Sequence, residues 1–158
     1  MQTPKTLGIT PTQFKNLAKL TLFVKDKVSP PRFNIQWFFT NQEGEEHNLD
    51  DHCPKKEDYQ CGTSACFLGY GPLSGIKPQK NETWKEYCKR SFGVGMSGEF
   101  YDILFNDEHK NSKSAAAKRG AWLLMNGLPA VSGYNLTTWE TPSRFKPDWK
   151  AIEQIANN

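Results

Sequence analysis

The strongest constraint on this chain is its punctuation. Apolar residues recur at helical spacing in short runs, and most runs carry their own start and stop signals. In Thr10-Pro11-Thr12-Gln13, Thr10 reads as an N-cap, Pro11 as the first helical residue and Gln13 as the partner that closes a capping box. Phe14, Leu17, Ala18, Thr21 and Val24 follow on one face until Ser29-Pro30-Pro31, where consecutive prolines forbid continuation. Thr63 or Ser64 opens a short helix through Phe67-Leu68-Gly69-Tyr70, ended by Gly71-Pro72. Asn81 caps a run through Trp84, Tyr87 and Cys88 to Phe92, ending at Gly93. Ser97 caps Phe100, Tyr101, Leu104 and Phe105. Ser112 or Ser114 begins a longer stripe of Ala116, Arg119, Leu123 and Met125, stopped by Gly127 and Pro129. Asp148 caps the last stripe, Trp149, Ile152, Ile155 and Ala156, and residues 130–146 before it read as loop. Only residues 33–39 alternate, which predicts a short half-buried strand, with an aromatic-rich helical turn as the alternative. The pattern predicts a mainly α fold of about six helices with one short strand or hairpin, an α+β arrangement being the other reading.

Ten Phe, five Tyr and five Trp supply core material that disordered chains lack. At 158 residues the whole chain, 1–158, is expected to form a single compact domain. No stretch approaches the roughly 20 apolar residues of a membrane span, and Met1–Thr6 lacks the apolar core of a secretion signal. No membrane partner and a cytoplasmic location are therefore expected. That compartment keeps Cys53, Cys61, Cys66 and Cys88 reduced, so their even number does not argue for disulfides. A zinc module would draw on His47, His52 and these cysteines, but their spacings do not form paired knuckles, and no metal is expected.

The net charge of +3 is too small to argue for direct nucleic-acid binding. Its distribution is more informative. Residues 43–58 hold Glu43, Glu45, Glu46, Asp50, Asp51, Glu57 and Asp58 against Lys55 and Lys56, a local −5, leaving +8 elsewhere. This stretch falls within a polar, aperiodic segment, 40–60, that reads as a long acidic loop or lid. Basic clusters occur at Lys77, Lys80, Lys85, Lys89 and Arg90, and at Lys110, Lys113, Lys118 and Arg119. Each reads either as a solvated helix face or as a surface for a phosphate-bearing ligand.

The segment Cys61-Gly62-Thr63-Ser64-Ala65-Cys66 supports three readings. It is a packing device whose small residues admit close neighbours. It is an exposed helix start whose unpaired amides bind an anion. Or it places Cys66, with Cys61 as the alternative, as a nucleophile activated by the helix field. The last reading needs a base, for which His109 or His52 would serve, although His109 reads more simply as a solvated loop residue. No phosphate-loop, dinucleotide or metalloprotease motif occurs, and no cofactor is expected.

Cys61-Gly62-Thr63-Ser64-Ala65-Cys66-Phe67-Leu68-Gly69-Tyr70 resembles the CGTxxCxxG segment of small uncharacterised bacteriophage-encoded proteins. In that group it is followed by a Trp-x-x-Tyr stretch, a Phe-Gly, a Leu-Phe and an Ala-rich helix. Here these are Trp84 to Tyr87, Phe92-Gly93, Leu104-Phe105 and Ala115 through Pro129. Asn106-Asp107-Glu108-His109 departs from the tryptophan-bearing loop usual there. The resemblance covers about residues 61–129 and transfers no catalytic residue. It implies an accessory protein of the host cytoplasm that antagonises host defence or metabolism by binding a host protein or a nucleotide-like small molecule. The nucleotide version uses Gly62, Thr63 and Ser64 with Lys85, Lys89, Lys118 and Arg119 for the anion, and Tyr70 or Trp84 for a base. Two alternatives stand beside it. One is a cysteine-dependent hydrolase or transferase centred on Cys66; the other is a protein-blocking inhibitor that uses residues 43–58 as a nucleic-acid decoy. Self-association through the first and last helices is left open.

Overall fold

The computed structural model describes residues 1–48, 50–59, 63–93, 95, 98–106, 109–131 and 134–158. Cys61, Gly62, Ser97, Asp107-Glu108 and Ser132-Gly133, all used in the sequence reading, lie outside them.

Helix α1 (Pro11–Asp26) forms with the expected capping box: the Gln13 amide donates to Thr10 Oγ1 at 3.2 Å and the Thr10 amide to Gln13 Oε1 at 2.9 Å. Its buried face, Phe14, Leu17, Ala18, Leu20, Thr21 and Val24, is the hub of the molecule, and α2 (Trp84–Phe92), α4 (Lys113–Asn126) and α6 (Trp149–Asn157) all pack on it. The approach of α4 to α1 depends on Gly120. A methyl there would stand 2.5 Å from Thr21 Oγ1 and 3.0 Å from the Phe67 ring. Ser112 occupies the N-cap position of α4, and Asp148 caps α6 by accepting from the Ala151 amide at 3.0 Å, both as the sequence predicts.

Among the described residues there are six helices and one two-stranded antiparallel sheet, a mainly α fold with a short hairpin. The membership differs from the expectation in two places. Residues 134–137 form a short helix, α5 (Tyr134–Thr137), inside the segment read as loop, with Leu136 buried. The predicted helix after Thr63 is replaced by extended backbone at Ser64-Ala65 and two 3-10 turns, Leu68–Tyr70 and Pro72–Ser74. The strand predicted over 33–39 is also reduced. Only Phe39–Thr40 (β1) pairs with Glu46–His47 (β2), while Phe33 makes an isolated bridge to Ala65. Helix α2 is capped by Thr83 rather than Asn81. Thr83 Oγ1 accepts from the Glu86 amide, Glu86 Oε2 accepts from the Thr83 amide, and Asn81 adopts a left-handed conformation, φ 61°, two residues earlier. Helix α3 (Glu99–Phe105) has Gly98 at its N-cap position and buries Ile103, Leu104 and Phe105.

Candidate functional site

Segment 63–66 threads between two other segments. Ser64 exchanges both backbone hydrogen bonds with Thr40, at 2.8 and 3.0 Å. The Ala65 amide donates to Arg32 O at 3.1 Å, and the Cys66 amide to Trp37 O at 2.9 Å. All three amides are thus committed to carbonyls. Among the described residues these amides therefore do not form a helix start open to an anion, which corrects the anion-binding reading at Ser64, while Gly62 lies outside the described residues. Thr63 is itself buried. What the motif does is pack. Gly69 lies so close to residue 38 that a methyl would stand 1.7 Å from the Phe38 carbonyl oxygen. Tyr59 Oη donates to Gly69 O, and Tyr70 Oη to Arg32 O.

The nucleophile reading is corrected as well. Cys66 is buried, lining a cavity of about 170 Å³ with Phe38, Tyr101 and Phe105, and burial pushes its thiol up to about 11, opposite to the depression that a nucleophile needs. Burial raises Cys53 and Cys88 in the same way. His109 is neither a solvated loop residue nor a partner of Cys66. It is 3% exposed, its Nε2 lies 2.6 Å from Asp102 O, and burial and the charge of Arg119 hold its pKa below the usual value.

The proposed nucleotide ligands scatter. Trp84 is fully buried, stacked on Phe38 at 5.5 Å and edge-on to Tyr87 at 5.9 Å, and Tyr70 is buried beside Phe23. Neither ring has a face for a base. Lys85 and Lys89 are exposed on α2, and Lys89 borders a surface depression with Gln79, Asn81, Glu82 and Arg90. Lys118 is half-buried on α4. Arg119, expected on a solvated face, has no exposed side-chain surface; its Nη1 donates to Glu140 Oε1 at 3.1 Å, and Glu140 Oε1 also accepts from the Lys110 amide. Among the described residues Nε and Nη2 of Arg119 have no hydrogen-bond partner.

The acidic segment, read as a long loop or lid, forms a platform of turns built on a two-stranded frame among its described residues. Its base is β1–β2, with Phe39 opposite His47 and their rings 4.8 Å apart, and Phe39 also meets Tyr59 edge-on at 5.0 Å. Its far side is tied down where the Cys53 amide donates to Glu82 O at 2.8 Å and the Trp84 amide to Asp51 O at 3.1 Å. Glu82 in turn is 7% exposed and paired through both oxygens with Arg90, at 2.6 and 2.7 Å, a pair that the sequence reading missed although Glu82 and Arg90 straddle the α2 cap. With the frame held this way, Glu43, Glu45, Glu46, Asp50, Asp51, Glu57 and Asp58 are all exposed. Three of them fix the turns: Glu45 accepts from Asn41 Nδ2, Asp51 from the Asn48 amide and Asp58 from the Lys55 amide. A cleft of about 450 Å³ opens in the platform, floored by Phe39 and Cys53 and walled by Glu43, His47, His52 and Asp58. Among the described residues no three His, Cys, Asp or Glu side chains meet in a metal-binding group, and no helix is long and apolar enough to cross a membrane. No protein-family model, curated protein or solved structure matches the chain.

Proposed function

We propose that the protein is a non-enzymatic binding protein that uses the 43–58 platform to block a basic, nucleic-acid-binding surface of another protein. One observation carries this reading: seven exposed carboxylates stand on a frame anchored to the core at Phe39, Cys53 and Tyr59. Holding the charges in place before contact reduces the ordering cost of binding, and a clustered negative surface steers a basic partner. The cleft beside Glu43 and Asp58 suits the stem and head of an arginine or lysine side chain from that partner. The resemblance to phage accessory proteins points the same way, with a host protein as target and the host cytoplasm as the place of action. The cysteine-dependent reading finds no support in the burial and raised pKa of Cys66.

The test is competition at low salt, where such contacts are least screened. A basic DNA-binding domain is loaded with labelled duplex and the protein is added. Release of duplex is expected from the native chain and not from a variant with Glu43, Glu45, Glu46 and Glu57 changed to Gln and Asp50 and Asp51 to Asn. Equal release by both, or release by neither, discards the proposal.

A further inference from the structure

A second cleft, of about 470 Å³, lies between α1 and α6, away from the acidic platform. Its character is opposite. Lys19, Lys25, Lys27 and Lys150 line it against Asp26 and Glu153, and its apolar wall includes Phe23 and Trp149. Trp149 is half-exposed at the first turn of α6, and Lys25 Nζ sits 5.1 Å from the centre of its ring. Lys27 and Lys150 are exposed at the rim, while Lys19 and Phe23 are half-buried in the wall.

The C-terminal end of α1 would ordinarily offset these cations, because unpaired carbonyls there carry about half a negative charge. Here Lys113 of α4 reaches across and donates to Lys25 O, at 3.2 Å, and to Val28 O. Lys25 O and Val28 O are thereby held by a cation from outside the cleft, and Lys25 itself pairs with Asp26 at 2.5 Å, which leaves Lys19, Lys27 and Lys150 as the cations open to a ligand.

We infer that the α1–α6 cleft binds a nucleoside phosphate, its base against the Trp149 indole and its phosphate among Lys19, Lys27 and Lys150. The half-exposed indole offers a stacking face once a base displaces the Lys25 ammonium from its ring, and a cleft of this volume belongs to the small-molecule range. Inorganic phosphate has the charge but no ring, a nucleoside the ring but no charge, and an acidic peptide no stacking group. These three are the competing occupants.

The experiment is a nitrogen-15 NMR titration of the full chain with adenosine 5′-monophosphate, with parallel titrations of adenosine, inorganic phosphate and a decaglutamate peptide. The expected result is movement of the Trp149 indole and of amides in 19–27 and 149–157, with tighter binding of the monophosphate than of the other three. Changing Lys27→Gln and Lys150→Gln together, both exposed, should weaken it about fivefold or more while leaving the spectrum of the core intact. Trp149→Leu should remove the preference over inorganic phosphate. The inference is overturned if phosphate or decaglutamate binds as well as the monophosphate, if the shifts fall outside these segments, or if the double variant binds unchanged. Resonances of 39–58 report separately on the acidic platform, so the failure of one site does not decide the other.

Discussion

Replacing Arg119 with methionine should stabilise the protein. The side chain has no exposed surface, makes one hydrogen bond to Glu140, and leaves Nε and Nη2 without a partner among the described residues. Burial pushes its pKa down to about 10, well below the ordinary guanidinium range, so loss of hydration outweighs the attraction of Glu140. At about 1.4 kcal/mol per unit, the charged form is penalised by about 3 kcal/mol. A base with a lowered pKa is protonated in both folded and unfolded chains at neutral pH. The whole penalty is therefore present there and would be relieved only as pH rises through about 10 and above. Methionine keeps the length of the stem and removes the charge. The lowered pKa already includes the attraction of Glu140, so what methionine forfeits besides is the hydrogen bond from Nη1, worth about 1 kcal/mol. The expected net gain is about 2 kcal/mol, read as a higher urea midpoint with unchanged slope and a thermal midpoint raised by roughly 4–8 °C. Glu140→Gln, which removes the counter-charge but keeps an acceptor for Nη1, should cost under about 1 kcal/mol, because Glu140 is 41% exposed. A loss of more than about 1 kcal/mol in Arg119→Met would refute the reasoning, because it would mean that the guanidinium is well satisfied where it lies.

Two further outcomes follow from the same burial logic. His109 has its pKa lowered by burial and by Arg119, so the unfolded chain binds more protons; stability should fall as pH drops from about 7.5 through 6.5 and below. His109→Gln should flatten that part of a thermal-midpoint profile, and an unchanged slope would remove His109 as its source. Cys66, buried and with its thiol pushed up to about 11, should stay unmodified by iodoacetamide at pH 7 until the chain is denatured, as read by peptide mass spectrometry. Rapid labelling of the native protein would contradict the packing role.

Where local chemistry suffices, the sequence is a good guide. Thr10 with Gln13, and Asp148, mark helix starts that form where expected, because a cap needs only neighbours within one turn; of Ser112 and Ser114 it is Ser112 that takes the N-cap position of α4, without a capping bond from its side chain. At α2 two local signals compete, and Thr83 with Glu86, a complete capping box, prevails over Asn81. Segment 63–66 was misleading for a different reason. Ser, Thr and Ala fit a helix start as readily as a tight extended crossing, and the choice is made by Arg32, Trp37 and Thr40, which lie more than twenty residues away. Arg119 is likewise opaque, since its position on the helix stripe gives no warning that a buried position would be filled by a cation. The acidic platform was half legible: its charge is written in the chain, but the frame that holds it rests on the long-range bonds of Cys53 and Trp84.

The paired bonds between Thr40 and Ser64 have a consequence for how the chain could be altered. They bring the two ends of the intervening stretch together like the neck of a purse. Gly44, in the left-handed region at φ 86°, lies at the tip with open space around it. Residues inserted there would lengthen a closed excursion without moving the core, and doubling such a loop costs only about 0.6 kcal/mol in closure entropy. The charge pattern at the tip can therefore be rewritten while the helical body keeps its shape.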